Sequence, residues 1–509
     1  MKLDFLQKKT AVKGMLGGSS GDALLLTAVK LMTMLLSLVT TRLLSQYLTK
    51  YNYGTYSQIL LLASTIASVT ILGMMDGMNF FFCGVKDNER REAYVATIYL
   101  MQLAVSVLAG IAVMALSGPI CTYMDNPALG KLMIFSALLP TLQNLIFISQ
   151  VLLISVGKAK VLALRNLIIS VLKLLTIVFV VLFVRDIRII LIVSSLLDVL
   201  QLIVFYFILR KNGCIIRLCR ADTSLVGPIL KYCIPMAVFV ALNTLNRDCD
   251  KYIVALFTDT ETLAVYANAS KALPLDIVMS SFITILLPRL TKLISDREYD
   301  KAVDVYKTFL EIACVSTSVL AGALLAAAPQ FMELLYSEKY LSGLSVFCIY
   351  IVIDMVKFMS VTLLLTAAGR TKTLMLTAIG SVLVNLGLNV LGFRLFGIVG
   401  PALATLFVTI VTGLLILHFS ARELGRSISS FFDLRFLLKF VLRLAAAIIA
   451  FGCLRTLLDR AGVRYFPIIM IICVPYFVLT LLAFGRRLFR DMAKISGNSA
   501  AKEVERNEC

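Results

Sequence analysis

The run Tyr232–Phe257, YCIPMAVFVALNTLNRDCDKYIVALF, decides how the whole chain reads. As a helix rising ~1.5 Å per residue, it is long enough to cross the ~30 Å hydrocarbon core of a bilayer. Yet it places four formal charges, Arg247, Asp248, Asp250 and Lys251, within five residues. A charge at bilayer depth costs ~3 kcal/mol even on the lenient insertion scale, so such residues face a bundle interior or a water-filled cavity. At about 100° per residue, Asn243, Arg247, Asp250 and Lys251 share about one third of the helical wheel, flanked by Asn246 and Asp248. Val254 and Ala255 return to apolar. The expectation is a membrane helix with one polar face turned from lipid.

The rest of the chain fits that setting. Of 509 residues, 60% are hydrophobic and only 16% charged, against roughly 45–50% apolar in a soluble domain. Apolar runs of spanning length recur along most of the sequence. Backbone amides in lipid must be satisfied internally, so these runs are helices. Fourteen spans are expected, near 22–44, 55–82, 93–117, 131–155, 161–184, 187–208, 229–257, 262–288, 305–328, 341–367, 373–393, 398–420, 436–457 and 465–485. Turn chemistry at Ser117-Gly118-Pro119, Asn126-Pro127, Asn212-Gly213 and Gly369-Arg370 separates several of them. The basic start, MKLDFLQKKTAVKG, has the character of a signal-peptide n-region. The apolar run behind it is interrupted by Lys30 and followed by many more spans, so an uncleaved first helix is expected.

The net charge of +19 follows from topology. With the N-terminus inside, most lysines and arginines outside the spans fall on alternate, cytoplasmic segments, which fits an even span count and two cytoplasmic ends. An internal repeat supports the same count. LLISVGKAKVLAL (Leu152–Leu164) aligns with LLLTAAGRTKTLML (Leu363–Leu376) at an offset of 212. YGTYSQI near Tyr56 aligns with LAVYANA near Tyr266 at an offset of 210. Six spans separate each pair, so the halves share one orientation about an axis along the membrane normal. The expected organisation is an N-terminal lobe, 1–211, with spans one to six; a C-terminal lobe, 212–424, with spans seven to twelve; and 425–509, with two further spans and a cytoplasmic tail.

The sequence is poor in catalytic patterns. Its 11 cysteines are scattered, with no CxxC pair or Cys/His cluster, and a free Cys acts as a small apolar residue. The single histidine, His418, ends an apolar run. Gly157-Lys158 lacks the upstream Gly and following Ser/Thr of a phosphate loop. Neither a nucleophile elbow, a zinc-protease helix nor a basic aromatic patch for nucleic acid occurs. A bundle with a parallel six-helix repeat and no catalytic constellation reads as a transporter rather than an enzyme, with no metal or cofactor expected.

The informative residues are therefore the charges within spans. Lys30 and Arg42 lie on the first span, the repeat equivalent of the seventh, which carries Arg247, Asp248, Asp250 and Lys251. Lys271 and Asp276 lie on the eighth, and Asp354 and Lys357 on the tenth. Two readings stand. In one, cations and acids pair with each other, or with Asp198, Asp276 or Asp354, and lock helices together; pairing makes burial tolerable without adding net stability. In the other, the seventh-span face lines a cavity and its cations meet an anionic substrate. Asn385 and Asn389, at i and i+4, fit a hydrogen bond between helices.

Three segments carry a family resemblance. TTRLLSQYLTKYNYGTYSQI holds a Tyr-Gly-x-Tyr in the first loop. NRDCDKYIVALFTDTETLAVYANASKALPLDIVMSSFITILLPRL has an Asp-Lys pair, a Tyr entering the eighth span and a Pro near its end. AAGRTKTLMLTAIGSVLVNLGLNVLGFRLFGIVGPALATLFV has an Asn pair and Gly-x-x-Gly-x-Ala-x-Ala-Thr, with Pro401 where a small residue is usual. Together they span roughly 20–420, and the chain resembles the polysaccharide-transport branch of the MOP superfamily, the Wzx-type flippases. The resemblance implies an all-α polytopic fold of two six-helix lobes plus two C-terminal helices in the bacterial cytoplasmic membrane. It implies an undecaprenyl-diphosphate-linked glycan as cargo, moved outward by alternating access among membrane lipids. A diphosphate explains intramembrane cations, because Arg binds it bidentately and Lys as a point charge. On that footing Arg247 and Lys251 contact the headgroup, with Lys30 and Arg42 opposite and Lys271 and Lys357 as further contacts. Asp248, Asp250, Asp276 and Asp354 then serve charge pairing or coupling to a proton gradient, a sodium gradient or the membrane potential. A lipid II flippase and a MATE-type cation antiporter are the rival readings.

Overall fold

The computed structural model describes residues 19–496, except 86, 185, 213, 215, 272, 274 and 276, and gives only the backbone of some others, including Lys30. No strand occurs among the described residues; the chain is all-α. In order, the helices are α1 (Ser19–Tyr47), α2 (Lys50–Thr70), α3 (Met74–Gly84), α4 (Asn88–Ala115), α5 (Ser117–Tyr123), α6 (Met133–Ser155), α7 (Ala159–Phe183) and α8 (Ile187–Lys211). There follow α9 (Val226–Phe257), α10 (Thr260–Ala269), α11 (Ile277–Ser295), α12 (Tyr299–Ala326), α13 (Ala328–Tyr336), α14 (Leu344–Val356) and α15 (Leu363–Ala367). The last four are α16 (Thr371–Phe396), α17 (Val399–Glu423), α18 (Leu434–Arg460) and α19 (Tyr465–Ser496).

Among the described residues, ten stretches are long and apolar enough to cross a membrane, and the pair α2–α3, bent by 42° around Leu72 and Gly73, would make an eleventh. These correspond to eleven of the fourteen expected spans. The other three, 22–44, 229–257 and 262–288, run over residues outside those fully described.

The turns aligned in sequence share one pattern of helix-end bonds, which also closes other helices of the chain, as at Asp296–Glu298 and Ala461–Val463. At the end of α6 the amides of Val156, Gly157 and Lys158 donate to the carbonyls of Leu152, Ile154 and Leu153. At the end of α15 those of Ala368, Gly369 and Arg370 donate to Leu364, Thr366 and Leu365, the same pattern 212 residues on. Both turns need a left-handed residue and place Gly there, Gly157 at φ 77° and Gly369 at φ 69°. The helix starts match as well. Thr49 caps α2 by accepting from the Asn52 amide, and Asp259 caps α10 by accepting from the Thr262 amide, 210 residues later. Those Thr262 bonds hold the Asp259 carboxyl below the usual carboxylate range.

The chain forms two compact units, one up to Asp248 with Thr258–Ala264, the other Cys249–Phe257 with the chain from Val265. In the first, Met74, Met78, Tyr94, Ile98, Ile148, Leu152 and Phe205 centre a core that also takes Ile229 and Cys233 from α9. In the second, Tyr306, Phe309, Leu310, Phe431, Phe440 and Tyr476 do so, drawing α18 and α19 onto α12. Arg487 of α19 secures that attachment. It donates to Glu311 at 2.8 Å and Asp433 at 3.3 Å, and its guanidinium stacks 3.6 Å from the centre of the Phe436 ring.

Candidate functional site

The polar stretch of α9 does not behave as a uniform face. Asn243 is exposed, the Arg247 side chain is 62% exposed and Lys251 is half-buried, whereas Asp248 and Asp250 are buried. Arg247 donates through both Nε (3.2 Å) and NH2 (2.8 Å) to one oxygen, Asp248 Oδ2. Asp248 and Asp250 lie about 100° and 60° to either side of Arg247 on an ideal helix, which takes them into packed surroundings while the arginine stays open.

Asp250 anchors the second unit's polar centre. Only 1% exposed, it accepts at Oδ2 from the Tyr266 hydroxyl of α10 at 2.8 Å and from the Tyr350 hydroxyl of α14. The two rings stand edge to face, 6.4 Å apart. Oδ1 of Asp250 is buried without a hydrogen bond, an arrangement that costs free energy unless something fills it. Lys251 sits close enough for its charge to act on Asp250, and also on the ammonium of Lys271. On α16 the Asn389 amide donates to Asn385 Oδ1 at 3.3 Å, and Asn389 Oδ1 is a further buried oxygen without a partner. That bond joins two turns of one helix, and Asn389 also hydrogen-bonds the Cys249 thiol of α9 across to a second helix.

The first unit holds a polar pocket of about 310 Å³ among α1, α2, α6, α7 and α8. Its ion pair is Lys173 with Asp198, Nζ to Oδ1 at 2.7 Å. Gln201 also donates to Asp198 Oδ1, at 2.7 Å. Behind it Arg165 donates to Gln201 and lies 4.1 Å over the Phe205 ring.

A model of the family described as polysaccharide biosynthesis protein matches residues 39–346. The chain belongs to this polysaccharide biosynthesis family. No curated protein sequence matches it. Among solved structures it is similar to the lipid II flippase MurJ in an inward closed conformation, with a TM-score of 0.71 at 17% identity over 92% of this chain and 100% of that one. It is also similar to an inward-facing multidrug resistance MATE family transporter of the MOP superfamily, with a TM-score of 0.63 at 13% identity over 79% of this chain and 98% of that one. A third similar structure is a MOP superfamily transporter from Pyrococcus furiosus, with a TM-score of 0.56 at 15% identity over 79% and 94%. The family member described here is thus a multi-span helical membrane protein with the MOP-superfamily fold.

Within this family member the expected site residues separate into groups. Arg247 and Lys251 lie one turn apart on α9, with Lys271 near Lys251. Lys357 is taken by its i−3 neighbour Asp354 at 2.5 Å, the intrahelical pairing that spacing allows. Arg42 is half-buried on α1. The Lys30 side chain and Asp276 lie outside the described residues. Among the described residues, no group of three or more His, Cys, Asp or Glu could hold a metal ion. Sequence reasoning missed the tyrosines on Asp250; Asp198, one of the acids it offered as partners for the α9 charges, is held by Lys173. The signal for Tyr266 was present, since Tyr56 and Tyr266 anchor the repeat.

Proposed function

We propose that this protein is a flippase that moves an undecaprenyl-diphosphate-linked oligosaccharide, a repeat unit of a cell-surface polysaccharide, from the inner to the outer leaflet of the bacterial cytoplasmic membrane. The observation that carries this reading is the placement of cations near the end of α9: Arg247, its side chain 62% exposed, and Lys251 stand one turn apart beside the buried Asp248 and Asp250. Intramembrane cations balanced by nearby carboxylates are held in place until a diphosphate offers stronger acceptors. Asp248 holds Arg247 in the empty state and releases it when the stronger bidentate acceptor arrives. The family match supports a glycan cargo, and the fold supports two six-helix lobes, 1–211 and 212–424, working by alternating access. The appended 425–509, with both termini cytoplasmic, completes the arrangement. Asp250 is the residue of choice for coupling to a proton or cation, because its Oδ1 is a buried acceptor with no hydrogen bond.

The test is reconstitution in liposomes with a defined lipid-diphosphate oligosaccharide, reading its accessibility at the outer leaflet, with lipid II as a parallel substrate. Transport of the oligosaccharide lipid is expected, and Lys251→Ala should lower its rate by about 10- to 100-fold, the scale of one lost charge-assisted hydrogen bond. Movement of lipid II alone would transfer the protein to peptidoglycan precursor transport. No protein-dependent movement of either lipid would refute the reading.

A further inference from the structure

The first unit's pocket is lined by polar groups from membrane-length helices. Thr40, Tyr56, Gln143 and Ser194 are half-buried and line one pocket from α1, α2, α6 and α8, and their side chains make no hydrogen bond to any described residue. They stand around the Lys173–Asp198 pair. Both donors that reach Asp198 use Oδ1, which leaves Oδ2 as an acceptor on a residue that lines the pocket. Hydroxyl and amide groups without partners at bilayer depth are costly unless something hydrogen-bonding occupies the space.

We propose that this pocket is a binding site for a sugar ring, rather than for an anion or a cation. Charge decides the class. The two charged residues that line the pocket pair with each other at 2.7 Å, and Arg165, whose charge also acts on Asp198, lies behind Gln201 and does not line the space, so the lining itself presents no unpaired counter-charge to a phosphate or a metal ion. A sugar ring offers hydroxyls that both donate and accept, which matches four hydroxyl or amide groups that can do either. Asp198 Oδ2 accepts from one ring hydroxyl, Lys173 donates to another oxygen, and the Tyr56 ring supplies an apolar flank. A volume of about 310 Å³ lies at the small end of ligand pockets, ~300–1,000 Å³, so it takes one ring of a glycan and not a whole repeat unit. The identification of that ring as part of the transported glycan rests on the proposed function; the site's chemistry does not.

The chain has no tryptophan, so Leu60→Trp, at a lining position without a polar group, gives a single indole reporter in the full-length protein in nanodiscs. The probes are glucose, N-acetylglucosamine and glucuronate, against inorganic diphosphate, sodium chloride and a pH series. A saturable fluorescence shift is expected with at least one sugar, at the millimolar affinity typical of a single small ligand. Asp198→Asn and the milder Ser194→Ala should weaken it, the former by about tenfold or more. A shift with diphosphate and none with sugars overturns the proposal, as does a response to sodium or pH alone, or no saturable response to any sugar at about 100 mM. The liposome assay separates the two claims. Transport of the glycan lipid by a protein with no sugar response sinks the pocket alone. A sugar response without transport sinks the flippase reading and keeps the site.

Discussion

The two halves of the chain place different side chains at corresponding positions, and the outcome is an open pocket in one and a closed cluster in the other. At offsets of 210 to 212 residues, Thr40 answers to Asp250, Tyr56 to Tyr266, Leu139 to Tyr350, Gln143 to Asp354 and Lys173 to Asn385. In the first half the acid is Asp198 on α8, whose counterpart on α17 is Ile410, and the space beside it is about 310 Å³. In the second half the acid has moved to α9, and the hydroxyls of Tyr266 and Tyr350 close upon it. The lesson is that a duplicated framework fixes where a polar centre sits, and two or three substitutions fix whether it is hollow or filled.

Three experiments would break or sharpen that comparison. The largest effect is expected from Asp250→Asn. It keeps the shape of the closed centre, removes its charge and gives two tyrosine hydroxyls a weaker acceptor. Transport should fall by about 100-fold or more, with helical content by circular dichroism unchanged. Near-normal transport would show that the closed centre is structural only.

The reciprocal exchange comes next. Tyr350→Leu gives the second half the residue of the first. It should hollow the cluster, freeing Asp250 from one donor, and lower unfolding stability by ~2 kcal/mol, the low end of large-to-small changes, because Tyr350 is half-buried. Leu139→Tyr gives the first half the residue of the second. Because it grows into open space it should leave thermal stability nearly unchanged, while abolishing the Leu60→Trp response to sugar. A large loss of stability in Leu139→Tyr would mean that the pocket is not open enough to take a ring.

The smallest effect belongs to the matched helix starts. Thr49→Ala and Asp259→Ala should each cost about 1 kcal/mol, read as a drop in thermal midpoint. Only the Asp259 contribution should depend on pH. Its carboxyl is held below the ordinary range by Thr262. Its stabilisation is therefore present above the unfolded-state value of ~4 and lost as pH falls through the lower folded-state value. Equal pH profiles for the two variants would contradict the cap.

Much of this architecture is legible in the sequence, because span length and the repeat are properties of contiguous residues. Gly157 and Gly369 could be aligned from neighbouring letters alone, and the turns they form agree bond for bond. The Asp354–Lys357 pair lies within one turn of helix and was also within reach. The polar centres were not. Tyr350 reaches Asp250 from 100 positions away, and Lys173 reaches Asp198 from the neighbouring helix. A helical wheel assigns each side chain a direction but not a partner. It grouped Asp250 with Arg247, and the tyrosines pull the aspartate into a buried setting while the arginine stays exposed. The partnerless hydroxyls of Thr40 and Ser194 carry no signal in sequence, since Ser and Thr in membrane helices commonly bond their own backbone, as Thr41 does to Ser37.

The two halves also differ in the continuity of one helix. Met133–Ser155 is one uninterrupted rod, although Pro140 lies within it. Its counterpart is two rods, Leu344–Val356 and Leu363–Ala367, joined through a tight turn at Lys357–Ser360 and an extended residue at Val361. The break at Val361, one turn beyond Lys357, thus interrupts the helical ladder in the second half where the corresponding helix of the first half runs on to the Gly157 turn.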